Sequence, residues 1–269
     1  SLVEKLIQYE AVHDIKSWGD VKNRLDSDRR CYGFFHPRLP DEPLIFVEVA
    51  FMNEIATNIS PLLDESAEAV DLSKATTAIF YSISNTQPGL KGVSFGDSLI
   101  KRVVETLRSD FPKLKTFATL SPIPGFRGWL HKNAGHMLEA TPEKMRAQLG
   151  RAVGFEPAGA EHVLSALELM PTLPEKSALR QWLQGCAAHY LGKELSQERP
   201  IDPVARFHLG NGARVEHIHW MADPSAKGMH QSWGMMVNYL YDLKRLDRHR
   251  KLLQQGKIPV SGEVADLSL

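Results

Sequence analysis

Between Ala78 and Phe126 the chain lays down a strand, a glycine-rich loop, a helix and a second strand, and the rest of the chain is organised around this unit. Ala78-Ile79-Phe80-Tyr81-Ser82-Ile83 is an apolar run of strand length. Gln87-Pro88-Gly89-Leu90-Lys91-Gly92-Val93-Ser94-Phe95-Gly96 follows as a glycine-punctuated turn. A helix comes next: Phe95, Leu99, Ile100, Val103, Val104, Leu107 and Phe111 share one face, and Lys101, Glu105 and Arg108 fall elsewhere. Thr116-Phe117-Ala118-Thr119-Leu120 is the second strand, and it runs straight into Ser121-Pro122-Ile123-Pro124-Gly125-Phe126.

The loop has the chemistry of an anion site. Gly89, Gly92 and Gly96 permit positive φ and close backbone approach to a ligand. The first N–H groups of the following helix lack intrahelical partners, and the helix dipole adds to their pull on a phosphate. The loop has no Gly-Lys-Ser/Thr ending and no G-x-G-x-x-G spacing, so it is neither a P-loop nor a dinucleotide fingerprint. Spacing alone leaves an ordinary strand-to-helix connection equally open.

The 269 residues suffice for one large domain or two small ones. The 32 basic residues balance 32 acidic ones, which argues against a general nucleic-acid binder. Cys31 and Cys186 stand far apart and form neither a C-x-x-C pair nor a metal pattern. That points to a reducing compartment rather than a disulfide framework. No apolar run has membrane-spanning length, and no secretory signal is visible. The chain opens at Ser1 rather than Met, as expected of a fragment or processed form.

Residues 1–27 read as two short amphipathic helices, marked by Leu2, Leu6 and Ile7 and by Val21 and Leu25, and joined through His13 in a structural role. Arg29 to Phe35 and Leu44 to Phe51 read as strands of a hairpin around the turn Arg38 to Pro43. Residues 54–75 read as a helical turn and loop. Helical periodicity fills 126–195. One helix there begins at Pro142 with Thr141 as N-cap, two more cover Glu161 to Leu169 and Glu175 to Leu191, and Trp182 and Leu183 belong to the core. Strand character returns at Arg214 to Met221 and Gly234 to Tyr241. A basic helix is expected over 242–255, then a loose tail. His217 and His219 alternate on a strand and face one way. Two histidines without a third ligand read as a polar sheet face, so no metal site is assigned.

Four segments together resemble malonyl-CoA decarboxylases: Leu90-Lys91-Gly92-Val93, Leu120 to Phe126, Phe207-His208-Leu209 with Asn211-Gly212-Ala213, and Trp220-Met221-Ala222-Asp223. Tyr81 to Ser84 and Met236 to Tyr239 are similar to that family as well, and the likeness extends from about Tyr9 to Tyr241, weakest in the helical stretch. The resemblance implies an α/β (α+β) fold with a GNAT-like mixed central sheet, flanking helices and a helical insertion at about 127–200, all in one catalytic domain over 1–269. It implies conversion of malonyl-CoA to acetyl-CoA and carbon dioxide without a metal or organic cofactor. It places the catalytic pair on Ser121 and His208, and the acyl-CoA loop on Lys91, Gly92, Val93, Ser94, Phe95, Gly96 and Asp97. Malonyl-CoA and acetyl-CoA are the partners it implies, in a homo-oligomer, with neither nucleic acid nor membrane. A bacterial cytoplasm is the expected location, with mitochondria as the other option. Three departures stand out. The family's N-terminal helical domain has no counterpart here, the chain ends Leu267-Ser268-Leu269 rather than Ser-Lys-Leu, and Ser94 stands where some relatives carry Glu.

Loss of carbon dioxide from a malonyl thioester leaves an enolate, so the protein must grip CoA, aim donors at the thioester oxygen and protonate the α-carbon. Pro122 and Pro124 fix φ around the Ser121 turn, and His208, titrating near neutral pH, is the expected proton donor. Residue types alone also allow Ser121 to be a helix cap and His208 a core histidine. The absence of G-x-S-x-G around Ser121 counts against an α/β-hydrolase. An acyl-CoA N-acyltransferase on the same fold and a non-catalytic malonyl-CoA-binding regulator are the alternatives.

Overall fold

The computed structural model describes residues 1–85, 99–169 and 172–269. Two short helices open the chain, α1 (Leu2–Tyr9) and α2 (Trp18–Arg24), capped by the Ser1 and Ser17 hydroxyls. β1 (Arg29–His36) and β2 (Leu39–Met52) form the expected hairpin. β2 starts earlier than the sequence suggests, taking Pro40 and Pro43 into the strand. The β1–β2 register shifts at Phe34–His36, and such irregular ladder positions tolerate residues without an N–H.

After the single turn α3 (Ser60–Leu63) come β3 (Thr77–Asn85), α4 (Leu99–Asp110), β4 (Thr116–Thr119) and the two-residue β5 (Ser121–Pro122). The helices α5 (Phe126–Ala140), α6 (Glu143–Val153), α7 (Ala160–Leu169) and α8 (Ala178–Gly192) follow. A small ribbon, β6 (Leu195–Ser196) with β7 (Arg199–Pro200), leads into α9 (Pro203–Gly210) and β8 (Arg214–His219). The chain closes with α10 (Ala226–Ser232), β9 (Met236–Leu240), α11 (Leu246–Gln254) and α12 (Gly262–Leu267). The larger sheet runs β1-β2-β3-β4-β9, with β5 and β8 also on β9. Its neighbours are antiparallel except β3 and β4, which run parallel across a helical crossover. The mixed sheet with flanking helices is the fold class expected.

Each sheet face has its own core. Val47, Val49, Ala78, Phe80, Phe117, Val237 and Tyr239 pack with α4, α5, α8 and α9. Ala50, Ile79, Tyr81, Ala118, Leu120 and Met236 pack with Ile59 and Leu62 on the other side. The buried stripe of α4, Leu99, Ile100, Val103, Val104 and Leu107, is the one its periodicity marks. At Tyr81 a β-bulge interrupts the β2–β3 ladder: Glu48 pairs with Ser82 and Val49 with Phe80, leaving Tyr81 extra.

Two local expectations change, and one segment gains an element. Pro142, not Thr141, occupies the N-cap of α6, with ψ 142°. The Thr141 hydroxyl is buried instead, donating to the Met137 carbonyl at 2.6 Å and accepting from Trp182 Nε1 at 2.9 Å. The segment before β8, to which the sequence reading assigns no element, is a helix, α9. The tail is not loose: Ser261 caps α12, the Ser261 N–H bonds the Val215 carbonyl at 2.8 Å, and Leu269 packs so closely on Gly185 that a Cβ there would stand 2.8 Å from it.

Candidate active site

The parallel pair β3 and β4 holds together only over Thr77–Phe80 and Thr116–Thr119, with a last bond from Leu120 N–H to the Phe80 carbonyl. Beyond it β3 continues along β2, while Ser121 and Pro122 pair with Val237 and Met236 of β9. Ser121 therefore stands at the carboxyl end of a parallel pair whose strands have parted, the usual ligand position in sheets of this kind.

Ser121 is 5% exposed, and its Oγ donates to Thr119 Oγ1 at 2.8 Å. Thr119 Oγ1 also accepts the Tyr239 N–H at 3.0 Å. Asn238 secures the same spot from the other sheet face, donating to the carbonyls of Thr119 at 2.8 Å and Ala56 at 3.0 Å. Ser121 caps no helix; Gly125 holds the N-cap position of α5. Phe126 then anchors the turn against Trp129, Tyr190 and Trp233, with ring centroids 5.5 to 6.3 Å away.

His208 lies in the last turn of α9 and is 3% exposed. Its ring stacks on Tyr239 at 4.9 Å, and its Nδ1 shares a hydrogen bond with the Tyr241 hydroxyl at 2.5 Å. Tyr239 and Val237 project to the face shared by Thr119 and Ser121, so both halves of the expected pair lie on one sheet face. Among the described residues no hydrogen bond joins Ser121 to His208 directly; Thr119 and Tyr239 stand between them. Thr119 and Tyr241 escaped the sequence reading. The signal for them was the two-residue offset, Thr119 before Ser121 and Tyr241 after Tyr239.

Burial depresses the pKa of His208 to about 3, because no charge compensates the imidazolium there. The ring is neutral at physiological pH, which corrects the expectation of a titration near neutrality. Burial also pushes Tyr239 and Tyr241 well above the usual phenol range, so both hydroxyls keep their protons. A Tyr241 O–H that donates to Nδ1 would put the ring proton of His208 on Nε2; in the other tautomer Nδ1 is the donor.

Lys91, Gly92, Val93, Ser94, Phe95, Gly96 and Asp97 lie outside the described residues. His217 and His219 do face each other, with ring centroids 5.7 Å apart. Each has a partner: His217 Nδ1 with Glu263 and His219 Nε2 with Asn238 Oδ1, both at 2.5 Å. Among the described residues no group of three or more His, Cys, Asp or Glu is placed to hold a metal. A cavity of about 760 Å³ opens between β8, α11 and residues 257–263, lined by Arg214, Arg248 and Lys257 among others, and it does not touch Ser121 or His208. No helix among the described residues is long and apolar enough to cross a membrane.

Comparison with known proteins adds to this geometry. The profile of the malonyl-CoA decarboxylase C-terminal domain matches residues 1–268. Mitochondrial malonyl-CoA decarboxylases of Anser anser anser and Mus musculus are each 40% identical, over 260 and 255 residues that cover 90% of this chain. Those stretches are 50% and 51% of the two relatives, so the chain spans about half the length of the curated relatives it matches. The crystal structure of malonyl-CoA decarboxylase from Cupriavidus metallidurans is 51% identical with a TM-score of 0.87, covering 99% of this chain and 64% of that one. The one from Agrobacterium vitis is 45% identical with a TM-score of 0.82, covering 99% and 64%.

Proposed function

The chain belongs to the malonyl-CoA decarboxylase family, and from that premise we propose that it converts malonyl-CoA to acetyl-CoA and carbon dioxide. The observation that carries the reading is the placement of Ser121 and His208 on one sheet face, where the parallel strands part. The glycine-rich loop that leaves β3 is the CoA grip in this reading, holding the pyrophosphate through backbone N–H groups.

The bond from the malonyl α-carbon to its carboxylate breaks, carbon dioxide leaves, and the electron pair flows into the thioester as an enolate. The thioester carbonyl is the electron sink, so the proposed steps use no metal or cofactor. Ser121 turns its hydroxyl from Thr119 to an oxygen of the malonyl group, a rotation that costs one neutral hydrogen bond and gains a charged acceptor. Neutral His208 carries its proton on Nε2, and the enolate carbon takes it. The imidazolide left behind is too costly to persist in a buried site, so water gives the ring a proton as that transfer occurs, and the hydroxide formed passes to solvent. The higher identity to bacterial than to mitochondrial decarboxylases favours a bacterial cytoplasm as the place of action.

One assay tests the reading. Incubation with malonyl-CoA labelled in its free carboxyl group should release labelled carbon dioxide and leave one acetyl-CoA per turnover. Tight binding without release would make the chain a malonyl-CoA-binding regulator. Consumption of acetyl-CoA only in the presence of an amine would make it an N-acyltransferase.

A further inference from the structure

One buried carboxylate ties together the two segments that carry the candidate pair. Asp202 is 1% exposed. Its Oδ2 accepts from the Val204 N–H at 3.1 Å and the Ala205 N–H at 3.0 Å, capping α9, the helix that carries His208 in its last turn. Its Oδ1 accepts from the Tyr190 hydroxyl at 3.1 Å, and the Gly125 N–H also stabilises the carboxylate. Gly125 closes the turn that starts at Ser121. It approaches so closely that a Cβ there would stand 2.5 Å from the Tyr190 oxygen and 3.7 Å from Asp202 Oδ1.

Capping alone does not require this arrangement. α2, α8, α10 and α12 are capped by the neutral hydroxyls of Ser17, Ser177, Ser225 and Ser261. A buried charge is more costly than any of these, and burial indeed raises the pKa of Asp202 against the pull of its donors. What the carboxylate adds to a serine cap is its second oxygen, which reaches Tyr190 and the turn after Ser121.

We propose that Asp202 is a positioning residue of the decarboxylation site, locking the Ser121 turn to the N-terminus of the His208 helix and so setting the spacing of the two groups. The proposal rests on the roles given above to Ser121 and His208. Displacements of about 1 Å in such a constellation cost on the order of a hundredfold in rate.

The experiment compares Asp202→Ser, which keeps a cap and loses the bridge, with wild type and with Tyr190→Phe, which keeps the cap and removes one strut. Turnover of malonyl-CoA, KM and melting temperature are measured for each. Asp202→Ser should lower kcat about tenfold to a hundredfold with little change in KM, since the CoA grip lies elsewhere. In a Ser121→Ala background the same change should cost less than about twofold, because no serine remains to be positioned. If Asp202→Ser fails to fold, Tyr190→Phe carries the test, with a smaller loss in kcat and the same dependence on Ser121. Near-wild-type kcat in either folded variant would overturn the proposal. So would a loss undiminished in the Ser121→Ala background, which marks a merely structural cap. Absence of carbon dioxide release by wild type is a separate result, and it would remove the decarboxylase reading itself.

Discussion

A histidine without charge has a different catalytic signature from one that titrates at neutral pH. With its pKa lowered to about 3, His208 gains its second proton only in strong acid, so above about pH 5 its protonation state is constant. His208→Ala should lower kcat by roughly 10²–10⁴, the range of a general acid. Ser121→Ala should lower it by roughly 10²–10³, as for the loss of an oxyanion donor. The double variant should lose less than the product of the two, because both act on one transition state. The pH profile of the residual His208→Ala activity should parallel that of wild type between about pH 5 and 9. An alkaline limb present in wild type and absent from the variant would show that an imidazolium is the donor, and the neutral-ring mechanism would then fail. The positions of both residues were legible as motifs. The neutrality of His208 was not, because desolvation by α9, Tyr239 and Tyr241 is a tertiary quantity.

Elements with strong periodicity were legible, and those defined by few residues were not. The stripe of α4 and the strands β3, β4 and β9 follow from their apolar patterns. α9 was missed although Asp202-Pro203 is an N-cap followed by proline at the first helical position, because eight residues give the pattern only two turns. Thr141 shows the converse, a cap signal overridden by a buried partner. Thr141→Val should orphan the Trp182 indole N–H and cost about 1–3 kcal/mol, read as a lower urea midpoint with kcat unchanged. The loop between β3 and α4 supplies a second test at this scale. Gly92→Val should weaken CoA binding by calorimetry with the melting temperature retained, since a branched side chain blocks backbone approach to a pyrophosphate. Unchanged affinity would remove the phosphate role from that loop.

Across the whole molecule, the two opening helices are held to the sheet by charge rather than by apolar packing alone. Arg24 makes a bidentate pair with Asp20, at 2.7 and 3.1 Å, and reaches Glu48 at 3.6 Å and Glu10 at 3.9 Å. Glu10 in turn accepts from the Ser82 hydroxyl of β3 at 2.8 Å. Burial, and then repulsion from Glu10, outweigh the loose Arg24 contact and raise the pKa of Glu48 to about 8. The sign follows: between the unfolded value near 4.5 and about 8, the folded chain keeps a proton that the unfolded chain has lost, so this residue lowers stability as pH rises through that window. Glu48→Gln should therefore gain stability relative to wild type from about pH 5 to 8 and level off above, measured by denaturant unfolding at several pH values. A constant difference would mean that Glu48 does not titrate there.

The bulge at Tyr81 makes this arrangement possible. Upstream of it Ala78 and Phe80 look toward the helices; downstream Ile83 takes that side, and Ser82 joins Glu48 on the other. The extra residue acts as a half-step in the phase of the strand. Drawing Tyr81 into a regular ladder would not merely straighten β3: plain two-residue alternation from Phe80 onward would swing Ser82 and Ser84 into oil and Ile83 among carboxylates, turning a correct sequence inside out from that point on.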